Sequence, residues 1–166
     1  GNHKTGSRSA KTCSNNNCLK VPIQKGGAAQ ISQMIDSVNP GGGTDASAFM
    51  KIARSYYLNS TYTPIDSNSL DCQKSYVVVI GDGDWQYHAQ AVRLASSLFQ
   101  VHGIRTYTVA FGTGISASGL RNFNALAVAG GTTKAIVATT GESLKSQLKA
   151  AISQIIANKL SFTAPA

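Results

Sequence analysis

Oxygen ligands beside flexible backbone recur three times in this chain: GGGTD at 41–45, GDGDW at 81–85 and GTGIS at 112–116. Thr44 offers a hydroxyl and Asp82 a carboxylate, the hard oxygens that magnesium, manganese or calcium take as ligands. Asp45 follows Thr44 directly, and Asp84 stands two residues past Asp82. Asp45 also reads as a helix N-cap, and Asp84 as support behind a ligand or as a solvated carboxylate. Gly43 and Gly81 supply backbone freedom next to the two proposed ligands. Trp85 and His88 fall at the rim of the same stretch. Each has a plainer role as well, Trp85 packing over a helix and His88 lying on the surface. Glycine and aspartate also make ordinary turns, so no single loop decides the matter.

Other chemistries lack their residues. No GxxxxGK(S/T) phosphate loop and no GxSxG elbow occurs. Apart from His3 in the polar N-terminal stretch, the histidines are His88 and His102, and both read as surface residues. We expect a protein that is not an enzyme.

The three loops need a scaffold, and the pattern around them supplies one. Tyr76 to Ile80 is a short, mostly β-branched apolar run, which reads as a strand buried on both faces of a parallel sheet. It ends in Gly and Asp at its C-terminal edge, where open α/β sheets bind ligands. Helical spacing follows from Gln86 to about Val101. RTYTVAF at 105–111 is the next strand, a helix runs from Ala117 to Val128, and Lys134 to Ala138 is a third strand. A last helix opens at Gly141. Upstream, Gly26 to Val38 and Ala46 to Leu58 carry helical spacing, and Leu19 to Ile23 reads as a short edge strand. Strands alternating with helices predict an α/β, doubly wound, mainly parallel sheet with helices on both faces.

The chain has 166 residues, about one domain. Its formal net charge of +8 reflects few acids rather than many bases. Lys4, Arg8, Lys11, Lys20 and Lys25 all precede the first acid, Asp36. A solvated basic arm explains them; nucleic acid, lipid headgroups or anionic polysaccharide are the alternatives. No aromatic interleaves with these bases, so we expect no specific nucleic-acid partner. No apolar run reaches the roughly 20 residues of a membrane span. The chain opens on Gly1-Asn2-His3, and we expect it to be part of a longer protein. Cys13 and Cys18 bracket a polar loop and could close as a short disulfide, which suits an oxidising compartment. Cys72 is left over.

GGGT before a helix, a strand ending in GDG, TVAFG, then a Gly-Gly turn and a short strand resembles the von Willebrand factor type A domain. The resemblance covers roughly Leu19 to Leu160 and implies a Rossmann-like fold with a metal-ion-dependent adhesion site. In that family a DxSxS motif, a Thr in a GGxT loop and an Asp in a (T/S)DG loop hold the metal. Thr44 matches the Thr and Asp82 the Asp. Gly81 stands where Thr or Ser is usual, and no DxSxS occurs in the chain. The family's first strands are also missing, so the strand at 76–80 is expected to need cover from the preceding part of the same protein. With two protein oxygens, a magnesium, manganese or calcium ion is expected to bind this chain weakly.

A narrower resemblance follows in AGGTTKAIVATTGESLKSQLKAAISQIIANKLSFTAPA, which is similar to the end of the N-terminal A domain of the PilY family. Those proteins are adhesins and assembly factors at the tips of type IV pili. The resemblance implies a cell-surface or extracellular protein of a Gram-negative bacterium, with minor pilins and a host or surface receptor as partners. It divides the chain into a polar basic stretch at 1–18, the A-like domain at 19–160 and an exit segment at 161–166. The competing functions are a non-adhesive subunit of a chelatase- or ATPase-type assembly, and a basic nucleic-acid-binding module.

The cysteine reading has a direct check. Mass spectrometry of unreduced protein is expected to return a peptide containing Cys13 bonded to Cys18, with Cys72 reaching neither. Free thiols at both positions would count against an exported protein.

Overall fold

The computed structural model describes residues 18–37, 44–59, 61, 63–68 and 73–160, with 154–160 in backbone alone. Eight elements follow in order: α1 (Gly27–Asp36), α2 (Ala46–Leu58), β1 (Tyr76–Gly81), α3 (His88–His102), β2 (Arg105–Phe111), α4 (Ala117–Ala129), β3 (Ile136–Ala138) and α5 (Gly141–Leu160). The strands form one sheet in the order β1-β2-β3, and both pairings are parallel. The fold is α/β, consistent with part of a doubly wound, Rossmann-like sheet. The expected strands at 76–81, 105–111 and 134–138 are adjacent, parallel and in chain order.

Register fixes which residues share a face. Val77, Val79 and Gly81 stand beside Thr106, Thr108 and Ala110. Side chains alternate along a strand, so these six face one way. α4 covers that face: the Thr108 hydroxyl donates to the Phe123 carbonyl at 3.0 Å. The Thr132 hydroxyl, just past α4, donates to the Thr106 carbonyl at 3.0 Å. Phe123, Leu126, Leu98, Ala95 and Met50 fill the core between this face and the helices. α3 packs between α2 and α4, and α5 meets β3.

The opposite face is covered unevenly. Val109 is fully buried there, yet Val78 is 48% exposed and Ile80 is 50% exposed. This corrects the expectation that 76–80 is buried on both faces; within the run only Val79 is buried. β1 is the edge of the described sheet, and an edge strand has a neighbour on one side alone. The apolar run has the composition of an interior strand without the flanking strand that would make it one.

Two further expectations change. Leu19 to Ile23 is irregular, with bends at Val21 and Ile23, not a strand. Pro22 has no N–H to give a ladder, and the Ile23 amide donates to the Tyr56 hydroxyl at 2.8 Å instead. The first helix ends at Asp36 with no buried residue, leaving Ile31 at 49% and Ile35 at 65% exposed. Val38 lies outside the described residues, as do Cys13, Cys72, most of the basic stretch at 1–18, and the exit segment. Cys18 is disulfide-bonded, with its partner outside the described residues. No helix among the described residues is long and apolar enough to cross a membrane.

α2 is tied to β1 through one phenol. The buried Tyr57 hydroxyl donates to the Tyr76 carbonyl at 2.8 Å. Burial, and then the neighbouring Tyr56, raise the Tyr57 pKa above its ordinary 10.0. A raised pKa favours the neutral form in the folded state. The stability it supplies is complete below pH 10 and is lost as pH climbs through the folded value. Tyr57→Phe is expected to cost about 0.5–1.5 kcal/mol at neutral pH, from the lost hydrogen bond. It is also expected to flatten the fall in stability above pH 10. Urea unfolding followed across alkaline pH checks both; an unchanged alkaline slope would mean that Tyr57 does not titrate with unfolding.

Candidate functional site

The three loops converge at the C-terminal edge of the sheet. After β1 the chain runs through Asp82 to Gln86, and the Gln86 amide donates to the Thr44 carbonyl at 2.9 Å. The Gln86 carbonyl accepts from the Ala46 amide at 3.0 Å, so Asp45 and Gln86 form a short parallel bridge. The third loop is tied in by Asp84, whose carboxylate accepts from the Ser116 hydroxyl at 2.7 and 2.9 Å.

These contacts sort the carboxylates. Asp45 is the N-cap of α2, accepting from the Ala48 amide at 3.2 Å and from the Ser47 hydroxyl at 2.6 Å. Asp84 is committed to the start of α4. Ser116 is the N-cap there and accepts from the Gly119 amide at 2.9 Å, while its hydroxyl also lies 2.8 Å from that of Ser118. The fit at Gly119 is close enough that a Cβ would collide with the Asp84 carboxylate. Asp82 is exposed, and neither its carboxylate nor the Thr44 hydroxyl makes a hydrogen bond among the described residues. The two proposed ligands are thus unengaged oxygens, and the acids beside them are structural.

Trp85 is a core residue, correcting its placement at the rim. It is 7% exposed and lies between Phe49, with ring centroids 5.5 Å apart, and Phe123, at 4.0 Å. Among the described residues its indole N–H is buried with no acceptor, and the Thr106 hydroxyl is likewise buried without a partner. The same stack explains the glycine at 81. A Cβ there would stand 3.0 Å from Phe123 Cζ and 3.6 Å from Trp85 Cζ3, so a Thr or Ser would press into the rings. Gly81 is needed by packing, whatever hydroxyl it forgoes.

His88 opens α3 and is exposed. His102 ends the same helix. Gly43 lies outside the described residues. Sequence reasoning missed Tyr87, which is 61% exposed beside this loop with a left-handed φ of 57°. It also missed the Asp84–Ser116 pair, which spans 32 residues and leaves no periodic signal. Among the described residues, no group of three or more His, Cys, Asp or Glu side chains is placed to hold a metal.

No protein-family model matches this chain, and no curated protein is similar to it.

The carboxylate–cap pair generates a test. Ser116→Ala is expected to lower stability by about 1 kcal/mol, the usual worth of an N-cap, and Asp84→Ala by about 0.5–1.5 kcal/mol, the worth of the hydrogen bond it accepts from Ser116. The double mutant should cost less than their sum, because the two side chains share one interaction. Strictly additive losses in denaturant unfolding would show that the pair carries no coupling.

Proposed function

We propose that this chain is an adhesion and protein-interaction module of the von Willebrand factor A type, acting at the tip of a type IV pilus and in its assembly. The observation that carries this reading is the pair of unengaged oxygens, Thr44 and Asp82, at the edge where three loops meet. A parallel α/β scaffold with its polar loops at the C-terminal edge is the setting such a site needs. The disulfide at Cys18 suits an extracellular or cell-surface setting. Minor pilins are the proposed partners within the pilus, with a surface or host receptor beyond it.

Thr44 and Asp82 fit a magnesium, manganese or calcium ion by donor type, both being hard oxygens. They are too few to enclose one. When bound there, such an ion would offer open coordination positions to a carboxylate on the partner. Thr44 would hold the ion by its hydroxyl and Asp82 by its charge, while Asp45 and Asp84 keep the two helix starts in place. The flanking acids therefore act on the geometry of the loops rather than on the ligand.

Immobilised protein is expected to capture a purified minor-pilin complex in millimolar magnesium and release it on chelation. Asp82→Ala should abolish capture, and Ser47→Ala should retain it. Calorimetry should show weak magnesium binding by this chain, lost in Asp82→Ala. Metal-independent capture, or tight magnesium binding that survives Asp82→Ala, would overturn the assignment.

A further inference from the structure

α2 and α3 pack side by side, and a groove of about 460 Å³ runs between them on the surface of the helix layer. Lys51, Arg54, Ser55 and Leu58 line it from α2, at the spacing of one helix face. Gln90 and Leu94, one turn apart, line it from α3, and Asn59 closes it at the end of α2.

The charge on these two helices has one sign. Neither α2 nor α3 contains an acid, while α2 carries Lys51 and Arg54 and α3 carries Arg93. A helix face that is merely solvated commonly carries both signs, paired at one-turn spacing. Lys51 and Ser55 already have partners. Arg54 is exposed, and its guanidinium makes no hydrogen bond or ion pair among the described residues; the Gln90 amide is free in the same sense. Asn59 Oδ1 accepts from the Thr61 amide at 2.9 Å, so the group that Asn59 has left to offer is its Nδ2 donor.

The free groups are therefore one fork-shaped cation and two amide donors beside the aliphatic side chains of Leu58 and Leu94. A guanidinium takes a carboxylate through two parallel hydrogen bonds. The two leucines call for an aliphatic side chain next to that carboxylate, which an acidic peptide has and a polysaccharide lacks. No aromatic ring lines the groove to stack a nucleic-acid base. The spacing also suits a peptide. Arg54 and Leu58 are four residues apart, roughly 6 Å along the helix axis. Side chains two apart in an extended segment lie on one side, roughly 7 Å from each other.

We propose that the α2–α3 groove recognises an acidic peptide segment of a partner protein, with a carboxylate at Arg54 and an aliphatic side chain two positions along, between Leu58 and Leu94. The Gln90 and Asn59 amides donate to its backbone carbonyls. No residue is shared with the proposed metal site, so either reading stands without the other.

The probe is the capped peptide acetyl-Gly-Ser-Glu-Thr-Leu-Ser-Gly-amide, whose glutamate is its one carboxylate, titrated into the whole chain and followed by NMR of the backbone amides. Saturable shifts confined to α2 and α3 are expected. Replacing the peptide's Glu by Gln should weaken binding about tenfold or more, since a charge-assisted pair is lost. Arg54→Gln should weaken the Glu peptide equally and bind the two peptides alike. Lys145→Gln removes the same charge from α5 and should change nothing. Arg54 is exposed, so its loss leaves the core intact, and circular dichroism checks that both variants fold. Absence of binding would overturn the proposal, as would equal affinity of the wild-type chain for the two peptides. An equal loss in Lys145→Gln would overturn it in favour of general charge attraction. Shifts at α2 and α3 with dextran sulphate but not with the peptide would assign the groove to an anionic polysaccharide instead.

Discussion

A stack of three rings, Phe49, Trp85 and Phe123, determines how the end of β1 can be built. The rings come from α2, the GDGDW loop and α4, three elements separated in sequence. Trp85 can enter between the other two only if the chain turns directly after Gly81. A side chain at 81 would meet Phe123 before the turn is made. Once Trp85 is buried, the residues around it have little choice. Asp84 is delivered to Ser116 and Gln86 to Thr44. Asp82, on the outer side of the turn, remains in solvent. The exposed carboxylate is a consequence of the buried indole.

This arrangement separates two jobs that the sequence leaves merged. Three aspartates stand near the loops, and all three have the chemistry of a ligand. Asp45 accepts from an amide and a hydroxyl, and Asp84 from a hydroxyl, at helix starts where a carboxylate is favoured by the unpaired N–H groups. Removing Asp45 from its cap to bind a cation would cost α2 its first-turn partner, and removing Asp84 would take away the acceptor that holds the Ser116 hydroxyl at the start of α4. Asp82 caps nothing, so it can be recruited without loosening the scaffold.

Local patterns were legible to the degree that they depend on local physics. α2 was bounded at Ala46 and Leu58 because Asp45 is a good cap and the apolar spacing is regular. β2 was read to the residue because it sits between two strands, as its composition implies. The failures share a cause in tertiary context. YVVVI reads as interior because composition records what a strand is suited to, not which neighbours it has. Trp85 was ambiguous because its burial depends on Phe123, 38 positions away in the chain. Leu19 to Ile23 had strand composition, but the Ile23 amide found the Tyr56 hydroxyl on α2 and the segment settled against that helix.

β1 joins the open flank of the sheet to the polar loops. Its outer edge has no partner strand among the described residues, and its C-terminal end releases Asp82. A strand added parallel to β1 would finish at the same edge of the sheet as β1 itself, as β2 and β3 already do. Whatever loop follows that strand would then emerge beside Thr44 and Asp82. An antiparallel strand would bring its N-terminal end there instead. In either case the cover of the edge sets what stands next to the two unengaged oxygens. The sparse ligand set and the unpaired edge are thus two aspects of one open flank, on the side of β1 away from β2.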